Sequence, residues 1–198
     1  MVTKDEVLSM IRELSQDDLK EVLATGILLI QNPEKGIGTA LFESVFHIVP
    51  QPCVELAVVD KIGNPTRVLL TRRAADDPTY AGKIHCPGTY IRKGETTPVA
   101  LERCVRRELG VGLTDYRFAT HYNNPVSCGG DDPGDGRNRH TVGLVHLVQL
   151  SGEPTTQVER KWTNAIPSDL LRGHQDFLKA TLPGWDKTNQ PLFGPLFG

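Results

Sequence analysis

From residue 3 to residue 31 apolar side chains recur every three or four positions, the period of a helix with one apolar face. Thr3 with Glu6 makes a capping box ahead of Val7, Leu8, Ile11 and Leu14. Ser15 with Asp18 starts a second helix carrying Leu19, Val22 and Leu23. The stretch NPEKGIG ends that pattern, and TALFESVFHIV fits helix or strand equally. At Cys53 the period changes to two. CVELAVVD alternates Val54, Leu56 and Val58, KIGNPT turns the chain, and RVLLTRR returns, which predicts a hairpin. GKIHCPGTYI predicts one short third strand. A helix follows, with Thr97 as N-cap, Pro98 at the first helical position and Gly110 as its stop. DYRFATHYNN and HTVGLVHLVQL predict two more strands around the Gly/Asp-rich loop PVSCGGDDPGDGRNR. KWTNAIPSDL leads from a strand into a last helix, SDLLRGHQDFLKATL. The tail GWDKTNQPLFGPLFG repeats PLFG and reads as irregular.

This order predicts an α+β fold, a mixed β-sheet sandwiched between α-helices, with an extra N-terminal helical arm. The expected boundaries are an arm over residues 1–50, a main domain over 51–183 and an irregular tail over 184–198. The arm admits two readings, packing against the main domain or a homodimer contact. Composition narrows the function classes. A chain of 198 residues with 38% hydrophobic and 23% charged residues fits a folded globular domain. The net charge of -2 leaves no footprint for bulk nucleic-acid binding. No apolar run approaches the roughly 18 residues of a membrane span. The acidic, amphipathic N-terminus lacks the layout of a signal peptide. Cys53, Cys86, Cys104 and Cys128 contain no CxxC pair, so a reducing cytoplasm is the expected location.

The stretch with the most chemistry is PGTYIRKGETTPVALERCVRRELGVGL, residues 87–113. A turn leads into a Glu/Arg-rich helix that ends at a glycine. Positions 104, 107 and 108 are spaced i, i+3 and i+4, so they share one helix face. This stretch resembles the Nudix box, G-x5-E-x7-R-E-U-x-E-E-x-G-U with U a bulky aliphatic residue. Laid on residues 89–111 without a gap, Glu95, Arg103, Val105, Glu108, Gly110 and Val111 match. Thr89 stands at the first glycine, with Gly88 just before it, and Cys104 and Arg107 replace two of the three helix-face glutamates. The flanks RVLLTRR and ERKWTNAIPSDLLRGHQDFLKATL also look like the family's, so the likeness spans about residues 53–182. ERCVRRELG further resembles the box of the GDP-mannose mannosyl hydrolase branch, which has lost the same two glutamates. That branch's histidine before the last strand's Trp is missing from TTQVERKW.

The resemblance implies a Nudix fold and Mg²⁺-dependent hydrolysis (Mn²⁺ serving as well) of a small-molecule nucleoside diphosphate derivative, with nucleotide sugars favoured. A catalytically inactive module binding a nucleotide or ADP-ribose is the alternative. Three glutamates on the helix face would gather metal and diphosphate. Here the face holds a thiol, a guanidinium and one carboxylate. Two unit charges about 5 Å apart interact by roughly 3 kcal/mol at an effective dielectric near 20. An inward Arg107 would therefore repel the cation, and at most one magnesium is expected. The resemblance makes Glu108 the metal and catalytic carboxylate, with Glu159 as a further metal ligand, and pairs Glu95 with Arg103 across loop and helix. Arg72, Arg73 and Arg107 are candidates for phosphate binding, and His140, at the end of the Gly/Asp loop, is the candidate base. Cys104 reads as a small buried filler. His85 and His146 read as strand residues, and Asp131, Asp132 and Asp135 as a solvated loop.

Overall fold

The computed structural model describes residues 3–31, 38–45, 48–77, 80–124, 140–182, 184–185, 187–188 and 192. Asp131, Asp132, Asp135, Cys128 and, apart from Leu192, the PLFG repeats lie outside these residues. The chain divides into two compact units, Met1–Gly38 and Thr39–Gly198.

In the first unit, α1 (Lys4–Arg12) opens on the reciprocal Thr3–Glu6 capping box. α2 (Gln16–Leu28) starts at Ser15, whose hydroxyl accepts from the Asp18 N–H. Both starts rest on contacts three residues apart, so local sequence suffices to specify them.

The second unit begins with α3 (Thr39–Val45), which settles the TALFESV part of that ambiguous stretch as helix. β1 (Gln51–Val59), β2 (Val68–Arg72), β3 (Ile84–His85), β4 (Gly88–Tyr90), β5 (Leu113–Asn124), β6 (Thr141–Leu150) and β7 (Arg160–Thr163) form one mixed sheet. Its order is β3-β2-β1-β6-β5, with β4 also on β1 and β7 on β2. β1 runs parallel to β6, and the other pairings in this sheet are antiparallel.

Helices cover both faces of the sheet. α4 (Thr97–Leu109) buries Leu101, Cys104, Val105 and Leu109 against Val54, Leu56, Val58, Leu69 and Val148. α5 (Arg172–Thr181) buries Phe177 and Leu178 against Ala57, Val59, Leu70, Val145 and Leu147. Each such aliphatic side chain contributes about 1.5–3 kcal/mol relative to exposure. β1 therefore departs from simple alternation. Every residue from Cys53 to Val59 is buried, because the strand is covered on both sides.

Three further expectations change. The single strand expected in GKIHCPGTYI is two, broken at Cys86–Pro87. β3 pairs with β2 through Thr71 and Arg72, whereas β4 pairs with β1 through Cys53 to Glu55. The chain must change partners between them, and Pro87 offers no N–H to continue a ladder. The N-cap of α4 is Thr96, one residue earlier than expected, which places Pro98 in the first turn behind Thr97. In the tail, Lys187–Thr188 form β9, parallel to β8 (Ile166–Pro167). Among the described residues no helix is long and apolar enough to cross a membrane.

Candidate active site at the box loop

The site is built where β4 and the start of the box loop meet the last turns of α4. Arg103 ties the two together. Its Nε and Nη2 donate to the Glu95 carboxylate at 2.6 and 2.8 Å, Nη1 donates to Thr89 Oγ1 at 3.0 Å, and Nη2 also reaches the Tyr90 carbonyl at 2.8 Å. The Arg92 N–H adds a bond to Glu95 Oε2 at 2.9 Å. Hydrogen bonds from Arg103 hold the Glu95 carboxyl below its usual range despite burial, and Glu95 in turn raises Arg103.

The end of α4 is fixed by its neighbours as well as by Gly110, whose φ of 72° is left-handed. Thr156 Oγ1 donates to the Glu108 carbonyl at 2.7 Å and Thr155 Oγ1 to the Gly110 carbonyl at 3.0 Å. Arg160 braces that segment through the carbonyls of Pro154 and Thr156, both at 2.6 Å. Helix-end carbonyls that would lack partners are thus satisfied, and Glu108 sits on a stiff support.

A cleft of about 360 Å³ opens beside this helix end, lined by Arg72, Arg73, His85, Thr89, Arg107 and Glu108 among others. Arg107 Nη2 donates to Glu108 Oε1 at 2.6 Å and reaches the Gly88 carbonyl at 3.4 Å. Cys104 is buried beneath, its thiol 3.7 Å from the same Glu108 oxygen, and burial raises its pKa. Arg72 is nearly buried, with Nε 3.1 Å from Glu159 Oε2. Arg73 pairs with Asp77 at 2.9 Å. At the cleft floor, Thr71 Oγ1 lies 3.0 Å from His85 Nε2, and burial pushes His85 down to about 3.

The structure thus brings Arg72, Arg73, Arg107 and Glu108 to one cleft. Glu159 borders it through its contact with Arg72. His140 is not among the lining residues, and its Nε2 lies 2.6 Å from Asn123 Oδ1. Sequence reasoning passed over Glu55. This carboxyl lies on β1, opposite Gly88 in the ladder, and accepts from Tyr122 Oη at 3.1 Å. Burial pushes it up to about 8, with the Glu108 charge adding to the rise and the Tyr122 bond and the Arg73 charge opposing it. The available signal was a lone acid in the apolar run CVELAVV, between Val54 and Leu56.

The sequence matches the family model described as NUDIX domain over residues 52–177. The chain belongs to the Nudix family. Solved structures agree with this fold. A MutT NUDIX hydrolase from Burkholderia pseudomallei aligns at 24% identity over 67% of this chain and 98% of its own, with a TM-score of 0.52. A protein from Jonesia denitrificans, described as a possible asymmetric diadenosine tetraphosphate hydrolase, aligns at 21% identity over 68% of this chain and 94% of its own, with a TM-score of 0.54. A MutT/nudix family protein from Enterococcus faecalis aligns at 16% identity over 91% of this chain and 73% of its own, with a TM-score of 0.50. No curated protein matches the chain. Nudix hydrolases act on small nucleoside diphosphate derivatives and generally use a divalent metal.

The donor set of this Nudix site fits a modest metal load. Among the described residues no three His, Cys, Asp or Glu side chains converge as a metal cluster. Glu108 remains as one carboxylate on the cleft. Magnesium commonly takes one or two protein carboxylates and completes its shell with water and substrate phosphate. The residues fit one such ion and do not fit a multi-metal array.

Proposed function

We propose that this Nudix domain hydrolyses a nucleoside diphosphate linked to another moiety, with a nucleotide sugar as the favoured class. The observation that carries the reading is the convergence of Arg72, Arg73 and Arg107 with the single carboxylate Glu108 on one cleft. Planar guanidiniums suit the paired oxygens of a diphosphate. In this reading they bind and orient the phosphates and offset charge that builds on the leaving oxygen. Glu108 would hold one Mg²⁺ or Mn²⁺, which supplies charge neutralisation at the phosphates when bound. The Glu95–Arg103 pair keeps the box loop seated on α4, so the guanidiniums meet a fixed wall. The nucleotide-sugar preference rests on the box, where Glu95 and, within ERCVRRELG, Arg103 and Glu108 keep the three positions retained in the mannosyl hydrolase branch.

A second reading is a catalytically inactive module that binds a nucleotide or ADP-ribose. One contact favours it: Arg107 already occupies Glu108 Oε1 at 2.6 Å, where a cation would bind. Fold alone does not decide between these readings. Incubation with nucleotide sugars, ADP-ribose and dinucleoside polyphosphates, with and without Mg²⁺, followed by product identification, separates them. The hydrolase reading expects Mg²⁺-stimulated release of a nucleotide product. Saturable binding with no product from any compound supports the inactive module.

A further inference from the structure

Behind the β4 segment lies a second, inner cavity of about 80 Å³. Four of its lining residues, Arg73, Gly88, Thr89 and Tyr90, also line the large cleft, so the two spaces share a wall. Glu55 lines only the inner one. Its Oε1 is engaged by Tyr122 Oη at 3.1 Å and Cys53 Sγ at 3.6 Å. Its Oε2 is buried and has no hydrogen-bond partner among the described residues. Arg73 Nε is also buried and unpartnered among the described residues. Gly88 makes room for this arrangement, since a Cβ there would collide with Glu55 Oε2. A buried carboxyl oxygen left unpaired is destabilising. Its position beside a cavity calls for a ligand or water to meet it. The volume exceeds the roughly 10–15 Å³ that one water needs, and the site offers it the required polar partners.

We propose that Glu55 is the acid–base residue of the hydrolytic step, accepting through Oε2 the proton of the attacking water. The proposal rests on the hydrolase reading above. In the step, the water oxygen bonds to the attacked centre, and its proton passes to the Glu55 carboxylate, directly or through one ordered water. The bond from that centre to the bridging oxygen breaks. The leaving diphosphate or phosphate oxygen keeps the electron pair, and the guanidiniums offset its charge. Glu55 then returns its proton to solvent as product leaves.

The other candidates at the site are poorly matched to accept a proton. Burial holds His85 near 3 and His174 well below its usual range, so neither takes a proton near neutrality. Burial raises the thiols of Cys53, Cys86 and Cys104, so none ionises readily. Glu55 is faced by Cys53 on its own strand, Tyr122 on β5, Arg73 after β2, Cys86 before β4, Cys104 and Glu108 on α4 and His174 on α5. Desolvation dominates among these influences and sets the group to about 8, close to the working range of a general base.

The test uses Glu55→Gln, which keeps the side-chain shape and an acceptor for Tyr122. For the compound that wild type hydrolyses fastest, kcat is expected to rise about tenfold per pH unit and level near pH 8. Glu55→Gln is expected to lose at least ~100-fold in kcat and that pH dependence. KM and calorimetric affinity for a non-hydrolysable analogue should change less than about threefold. A Gln variant that keeps its turnover in a wild type that is active overturns the proposal and leaves the hydrolase reading standing. A wild type inactive on every compound overturns both. A direct check needs no activity: carboxyl-labelled glutamate in metal-free protein is followed by ¹³C NMR. The resonance lost in Glu55→Gln should titrate near pH 8, and titration in the ordinary carboxylate range overturns the proposal.

Discussion

Arg107 and Glu108, adjacent on α4, form an ion pair, with Nη2 2.6 Å from Oε1. Helix neighbours normally point about 100° apart, so this contact reflects the cleft's geometry more than helix spacing. Nη2 also reaches the Gly88 carbonyl at 3.4 Å, and Nη1 reaches Thr89 Oγ1 at 3.4 Å. A built-in cation thus sits among a carboxylate, a carbonyl and a hydroxyl, all oxygen donors of the kind a magnesium would take.

Competition between this guanidinium and a divalent cation has a measurable consequence. Arg107→Gln should raise Mn²⁺ affinity, by about tenfold at most because the arginine is half exposed and screened. Cys104→Glu combined with Arg107→Glu should raise it further. Wild type should show no more than one tight ion. Mn²⁺ titration followed by electron paramagnetic resonance reads both affinity and stoichiometry. No gain in either variant would mean that the helix face does not meet the metal.

Glu108 is expected to matter more to the transition state than to ground-state binding. Glu108→Gln should lower kcat by at least ~100-fold, about 2.7 kcal/mol, while ligand affinity falls much less. Steady-state kinetics beside calorimetry with a non-hydrolysable analogue checks the split. Equal losses in both quantities would assign Glu108 to binding.

The Glu95–Arg103 pair should be visible in stability. Glu95→Gln removes a carboxylate held by Arg103 and by the Arg92 N–H, at a cost of about 1.5–3 kcal/mol at neutral pH. Because folding lowers the Glu95 pKa, its contribution is present above the unfolded value of 4.5. It is lost as pH falls through the lower folded value. The gap in melting temperature between variant and wild type should therefore narrow in acid. An unchanged Tm with lost turnover would place Glu95 in the chemistry.

Glu55 predicts the opposite slope. Its pKa rises from 4.5 to about 8 on folding, so between these values the folded state holds one proton more than the unfolded state. Stability from this group is complete below pH 4.5 and declines toward pH 8, by up to about 1.4 kcal/mol per pH unit. His85 and His174, both held neutral by burial, act the other way, with stability lost as pH falls below 6.5. They are common to both proteins, so the Tm difference between Glu55→Gln and wild type isolates Glu55. That difference should move in the variant's favour from pH 5 to pH 8. A difference constant with pH would show that Glu55 does not carry a buried proton.

The sequence by itself determined what contacts within one turn or one helix can specify. The Thr3–Glu6 box, the Ser15 cap and the Gly110 stop are each set by neighbours three or four residues away. Box spacing also exposed the family, because Glu95, Arg103 and Glu108 hold fixed positions along one loop and helix. Tertiary structure decided the rest, because it depends on which segments meet. Pairing of β3 with β2 and of β4 with β1 split a strand that looks continuous. Helices on both faces turned β1 from an alternating strand into a wholly buried one. That burial, with Tyr122 arriving from 67 positions away in sequence, is what sets the acidity of Glu55. Arg72 meets Glu159 only because β7 lies beside β2. His140, plausible as a base from its loop, lies instead against Asn123. Charge, burial and cavity walls are properties of assembled segments, so local period and spacing carry no record of them.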